Sequence, residues 1–459
     1  MSTKRSPTST DRIQSRLLRL AARFLCLYAL SLTLSPAVRN RTWDVPYRWG
    51  HWISYLTWVL LFYLIHNQTS RFLKYRDPFL VPIAALLSGW GLLSIWRLFP
   101  TFGYRQTIWL FIASLVLLLG LRLKNDISFL RKYKYIWLTA GLFLTALTLL
   151  FGTNPTGYGP RLWLGCCGVY LQPSEPLKLL LIIYLAAYFA EYHHILLFSK
   201  PGISRSVSPS LVALLAPTIL MTGIALLLLL VQQDLGTASI FLLIYAIIVY
   251  IATKRYSILL ISAITIALTG IAGYFLFDVV RLRVEAWLNP WLDPSGRSYQ
   301  IVQSLIAVAN GGLLGRGPGQ GNPTLVPIPH ADFIYTAIVE ETGLVGAIAI
   351  IILLAFLMVR GLITAFYAPD RFRRYLAAGI TIYLVAQSVL IISGNLRLLP
   401  LTGVTLPFIS YGGSSLVTTF IALLIILHIS NSALAHTINV PETRPYKILA
   451  GLLLIGLLA

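Results

Sequence analysis

Residues 289–346 read NPWLDPSGRSYQIVQSLIAVANGGLLGRGPGQGNPTLVPIPHADFIYTAIVEETGLVG, and the character of the chain changes within them. The pairs Asn289-Pro290 and Asp293-Pro294, followed by six glycines between Gly311 and Gly321, make the first part turn and loop. The last part opens an apolar run at about 333–359, long enough for a helix to cross roughly 30 Å of hydrocarbon. Five of the 15 acidic residues of the chain sit in or just before this stretch: Glu285, Asp293, Asp332, Glu340 and Glu341. A polar loop this long in an apolar chain is usually functional.

Outward from that stretch the chain is greasy. It has 459 residues, 57% hydrophobic and 11% charged, with a mean hydropathy of +0.78. Apolar runs of helix-spanning length recur at about 24–38, 51–66, 79–97, 105–121, 135–151, 177–192, 211–231, 238–252, 256–277, 333–359, 375–394 and 415–431. A shorter run, 446–459, reaches the last residue. Alternating ten-residue segments, the mark of a membrane barrel, are not visible. The expectation is an all-α, polytopic integral membrane protein without a cleaved signal peptide.

The net charge of +21 is arranged by side. With the N-terminus in the cytoplasm, Lys and Arg concentrate in the cytoplasmic connections, which orients the chain and puts the loop of about 280–332 outside. The basic residues then face anionic membrane lipids, and nucleic acid is a poor reading of the charge. Cys26, Cys166 and Cys167 cannot make a disulfide framework, and no Cys and His spacing suits zinc. Residues 1–18 read as a disordered cytoplasmic tail.

Several polar residues bear two readings. Glu175 follows Ser174 at a helix start with Lys178 three residues on: a capped first turn with an i, i+3 pair, or a charged pair lining a polar cavity. Asp234 before Gly236 is a helix cap or a cavity carboxylate. Asp293, with Arg281, Arg283, Arg297 and Arg316 nearby in sequence, is a turn former before proline or a base kept ionised by cations. The glycines around Arg316 suit an anion gripped by backbone amides and a guanidinium, or a flexible loop. Asp332 reads as a cap for the helix after it, and of Glu340 and Glu341, about 100° apart, only one faces a cavity.

Five segments in order, PRLWLG with LQPSEPLK (160–178), QDLGTA (233–238), NPWLDPSGRSYQIVQSLIA (289–307), HADFIYTAIVEETGLVG (330–346) and LPLTGVTLPFISYGGSS (399–415), resemble the SEDS family of shape, elongation, division and sporulation proteins (FtsW, RodA, SpoVE). The chain departs from the family pattern at Gln233, where the family has proline, at Ser298, and at Ile328-Pro329. The resemblance implies a ten-helix core over 79–431, two additional helices within 19–78, and in 432–459 a linker with the start of a further helix, which could belong to a fused partner. It further implies a peptidoglycan glycosyltransferase of the bacterial cytoplasmic membrane that polymerises lipid II at the outer face and releases undecaprenyl diphosphate. Asp293 would be the catalytic base. Substrate-binding residues would be Arg161, Glu175, Lys178, Asp234, Arg283, Tyr299, Gln300, Gln303, Ser304, Arg316, His330, Asp332, Glu340, Ser410, Gly412 and Gly413. A divalent cation, Mg or Mn, is a candidate to share the diphosphate charge, with no organic cofactor, and a class B penicillin-binding protein is the expected partner. A lipid II flippase is the rival reading.

Overall fold

The computed structural model describes residues 9–123, 127–154, 160–166, 169–198 and 211–438. The chain opens with α1 (Ser9–Asn40), α2 (His51–Phe72), α3 (Leu80–Leu98) and α4 (Pro100–Gly120). A short α5 (Ser128–Lys132) precedes α6 (Lys134–Phe151) and the strands β1 (Leu164–Cys166) and β2 (Val169–Leu171). Then follow α7 (Ser174–Phe198), α8 (Leu211–Val231), α9 (Leu235–Thr253) and α10 (Tyr256–Leu276). The central loop holds α11 (Asp278–Leu288) and α12 (Tyr299–Gly311), and α13 (Ile334–Phe366), α14 (Arg371–Asn395) and α15 (Gly413–Ile438) complete the bundle.

Ten of these helices are long and apolar enough to cross a membrane, so the protein is a multi-pass, all-α membrane protein. Helices α2 and α7 pack into the same bundle, α2 against α4 and α7 against α6, α9 and α14. Burial grades across it. Helix α3 is enclosed on nearly every side, whereas α10 rests on α9 and α11 and turns Leu260, Ile264, Leu268 and Ile271 outward. A helix apolar all round that is not covered by protein is a lipid-facing helix.

The two ends of the bundle differ. Ion pairs gather at one: Arg76 takes Asp11 at 2.8 Å, Arg360 takes Asp77, and Lys134 takes Glu191. Long connections, 41–50, 152–173, 277–333 and 396–412, gather at the other, the loop end.

Three expectations change. Residues 9–18 are helix, not tail: Gln14 is fully buried, donating to Thr69 at 3.1 Å and accepting from Arg76 Nε at 2.6 Å, which ties the polar start of α1 to the turn after α2. The 152–173 connection carries a two-stranded antiparallel hairpin pairing Leu164 with Leu171. The central loop is half helix, because residues 299–311 place apolar side chains at helical spacing against α13. Residues 432–438 of the segment 432–459 continue α15, and the rest of it lies outside the described residues.

Candidate active site

At the loop end, α7 starts with a buried ion pair. Lys178 Nζ donates to Glu175 Oε1 at 2.7 Å and to Gln387 Oε1 on α14 at 2.9 Å, and faces the Tyr383 ring at 5.3 Å. Gln387 passes the network on to Thr405, whose hydroxyl lies 2.7 Å from that of Ser415. Both Glu175 and Lys178 are buried, a first-turn i, i+3 pair enclosed in the polar interior of the bundle. The ammonium has spent its donors on Glu175, Gln387 and the ring face, which removes Lys178 as a free anion ligand. Glu175 Oε2 has no partner among the described residues, an orphan that a bound water or hydroxyl would satisfy. Beside it Asp234 caps α9 through the Thr237 amide at 3.1 Å and takes the Ser174 hydroxyl at 3.3 Å. Gln172 joins the pair of segments, its amide donating to Ser414 Oγ at 2.9 Å. Sequence reading missed Gln387, Thr405 and Ser415; a glutamine inside an apolar run was the available signal.

Asp293 stands exposed on the central loop. Its two oxygens accept the amides of Gly296 and Arg297, each at 3.0 Å, so it does form a turn. One lone-pair direction on each oxygen remains open to solvent. Three of the four cations expected around it are engaged elsewhere: Arg281 pairs with Glu285 at 2.9 Å, Arg283 reaches the Thr402 carbonyl at 3.4 Å, and Arg316 grips the carbonyl of Asn310 at 3.0 Å, while Arg297 is exposed beside it. The loop is anchored rather than free, since Trp287 Nε1 donates to the Arg397 carbonyl and Arg397 Nε returns a bond to the Trp287 carbonyl at 2.8 Å. On α12, Tyr299 and Gln303 are half-buried and Gln300 is exposed. Ser304 is fully buried, its hydroxyl bonded to Thr336 at 2.8 Å and to the Asn395 carbonyl at 2.9 Å, so it fastens α12 to α13 and α14.

The glycine loop closes on its own helix. At Gly343 (φ 68°) α13 breaks, and the loop pairs with the broken turn. The amides of Arg316 and Gly317 donate to the carbonyls of Glu340 and Glu341, and those of Leu344 and Val345 donate to Gly312 and Leu313. A Cβ at Gly315 would sit 2.2 Å from the Glu341 carbonyl oxygen, which is why glycine is required there. The loop is therefore not a flexible linker: the amides of Arg316 and Gly317 are committed to backbone and that of Gly319 to the Glu341 carboxylate. Glu340 and Glu341 are both buried: Glu340 accepts the Asn322 amide at 3.0 Å and Glu341 lies 3.1 Å from Arg97.

His330 stacks on Phe102 at 4.2 Å, and burial lowers its pKa to about 4. Asp332 does not cap α13, whose N-cap is Phe333; it is half-buried, and burial raises its pKa to about 6 against the pull of Arg283. Ser410 donates to the Ala331 carbonyl and accepts the Leu406 amide, both at 2.8 Å. Gly412 donates its amide to Gln106, and a Cβ on Gly413 would strike the Trp109 ring at 2.2 Å. These three residues shape the 402–415 segment. Arg161 is exposed on the 152–173 connection. Gln233 has φ 59°, which proline cannot adopt, so the turn before α9 is built differently from the family pattern. Among the described residues no three His, Cys, Asp or Glu side chains converge to hold a metal.

Residues 97–434 match the family model described as cell cycle protein, covering FtsW, RodA and SpoVE. Peptidoglycan glycosyltransferase RodA of Mycobacterium tuberculosis is 35% identical over 446 residues, covering 93% of this chain and 92% of that protein. Stage V sporulation protein E of Bacillus subtilis is 33% identical over 303 residues, covering 65% and 79%. Among solved structures, one titled "Structural coordination of polymerization and crosslinking by a peptidoglycan synthase complex" has a TM-score of 0.63 at 27% identity, covering 78% of this chain and 98% of that one. RodA of Thermus thermophilus has a TM-score of 0.56 at 25% identity, covering 77% and 96%. A polar network inside a helical bundle, an anchored loop with an exposed aspartate, and similarity along most of the sequence lead to one assignment: the chain belongs to the FtsW, RodA and SpoVE family, the SEDS proteins.

Proposed function

We propose that the protein is a peptidoglycan glycosyltransferase that polymerises lipid II into glycan strands at the outer face of the bacterial cytoplasmic membrane, the N-terminus lying in the cytoplasm. The observation that carries this reading is the Asp293 carboxylate, exposed on a loop pinned to the bundle by Trp287 and Arg397 and facing the side where the long connections gather. Similarity to relatives named peptidoglycan glycosyltransferase over nearly the full chain supports it. In the reaction the acceptor sugar hydroxyl gives its proton to Asp293, its oxygen bonds to the anomeric carbon of the donor, and the bond from that carbon to the diphosphate oxygen breaks. The electron pair leaves with undecaprenyl diphosphate. A direct displacement inverts the anomeric centre and needs one base rather than a covalent intermediate. Exposed Arg161 and Arg316 are the cations in reach of solvent for the leaving charge, and Tyr299, Gln300 and Gln303 line the approach on α12. A peptidoglycan crosslinking enzyme of the class B penicillin-binding type is the proposed partner, in keeping with the synthase complex named for the structural neighbour.

The test is lipid II polymerisation by the purified full chain, alone and with its penicillin-binding partner. Asp293→Ala should lower the rate by at least about 100-fold, the contribution of a positioned general base. The broken α13 with its buried carboxylates is also what a transporter uses. Folded protein that makes no polymer with either preparation, yet moves lipid II across liposomes, would replace the polymerase by that second reading.

A further inference from the structure

Away from Asp293, α1, the 41–50 connection, α3 and the 319–324 segment enclose a cavity of about 580 Å³. Three arginines line it, each from a different part of the chain. Arg97 at the end of α3 forms the floor, mostly buried, donating to the carbonyls of Gly319 (3.2 Å) and Gly321 (3.0 Å) and lying 3.1 Å from Glu341. Arg39 and Arg48 stand exposed at the rim; Arg39 donates to Asn322 Oδ1 at 2.8 Å, a neutral acceptor, and Arg48 has no carboxylate partner among the described residues. Two carboxylates, Glu341 and its neighbour Glu340, therefore stand against three guanidinium groups. Partial desolvation first, and then the charges of Arg97 and Arg39, hold the Arg48 pKa below its ordinary value, with Glu341 pulling the other way. Leu32, Trp96, Leu98 and Pro100 give the wall an apolar side, beside the polar His51, Asn322 and Thr324. Arginines grip phosphate oxygens bidentately, and an apolar wall beside them accepts an acyl or prenyl chain.

We infer that this cavity binds the phosphate-bearing headgroup of a membrane lipid, seated between Arg39, Arg48 and Arg97 with its chain along Leu32 and Trp96. None of its walls carries Asp293 or the Glu175–Lys178 pair, and the inference does not depend on the polymerase reading. The ligand chemistry has two sources, a lipid or a free diphosphate, and the fit to a lipid rests on the apolar wall. The test uses full-length protein purified in detergent and stripped of lipid, then titrated with phosphatidylglycerol, phosphatidylcholine or inorganic pyrophosphate, with bound ligand read by native mass spectrometry. The native chain should retain phosphatidylglycerol over phosphatidylcholine. In R39Q/R48Q that retention should weaken on the order of 10-fold, while R39K/R48K keeps most of it. Both substitutions sit at exposed positions, and an unchanged melting temperature confirms the fold. Equal retention in native and R39Q/R48Q would overturn the proposal. Arginine-dependent binding of pyrophosphate without any phosphatidylglycerol preference would overturn the lipid assignment and leave a free-phosphate site.

Discussion

At residue scale, the buried Lys178 and Glu175 are a pair whose halves cannot be removed singly. Lys178→Met leaves a carboxylate uncompensated in the bundle and should cost about 3–5 kcal/mol, seen as a lower melting temperature in detergent, while the double change with Glu175→Gln should recover part of the loss. A double-mutant cycle that shows the two changes adding would sink this account. Asp332 and His330 oppose each other with pH. The raised carboxyl of Asp332 favours the fold most below about pH 4, and that contribution is lost as pH rises through about 6. The lowered imidazole of His330 favours the fold above about pH 6.5 and loses its contribution as pH falls toward 4. The net curve is therefore flat, and only a difference reveals either group: native minus Asp332→Asn melting temperatures should fall between pH 4 and 6 and then level. A constant difference across that range would contradict the assignment.

At the scale of elements, the break in α13 is the feature to test. Gly343 holds backbone angles that side chains rarely adopt, and an added Cβ would meet the Gly315 amide at 2.3 Å. Gly343→Ala should therefore cost about 1–3 kcal/mol in strain, open the glycine loop to protease and slow polymerisation; unaltered proteolysis would argue against the clasp. That clasp was not legible in the sequence. Apolar run length marked α13, α14 and α10 because helix spacing is local, but the glycines of 311–321 carried no sign of their partner, a carbonyl pair on a helix two turns past the loop. Likewise Ser304 sits in the same motif as Tyr299 and Gln300, yet packing turns it inward to Thr336 and Asn395. Asp293 was visible as a turn and as a candidate base; the turn is present, and the carboxylate that forms it is exposed. Three of its expected cations are engaged elsewhere, Arg281 and Arg316 by partners four to six residues away and Arg283 by the carbonyl of Thr402.

For the whole molecule, orientation is the property to measure. With Cys26, Cys166 and Cys167 replaced by serine, Ser295→Cys should react with a membrane-impermeant maleimide in intact cells, and Lys132→Cys only after permeabilisation. The reverse pattern would place the Asp293 loop in the cytoplasm and end the glycosyltransferase proposal for that face. Bundle architecture was readable from hydropathy. The ion-pair end was not, because Asp11, Asp77 and Arg76 lie far from their partners along the chain or inside a tail that composition alone labels solvated.

The enclosed Glu175–Lys178 pair has a consequence for ionic strength. Dissolved ions screen exposed charges over about 10 Å at 0.1 M, but they do not enter a packed interior. Added salt should thus leave the resting network and the melting temperature almost untouched while weakening substrate capture by the exposed arginines, so KM would climb with salt and kcat would hold. Packing shields the internal pair, and the solvent-facing cations alone respond to the ions around them.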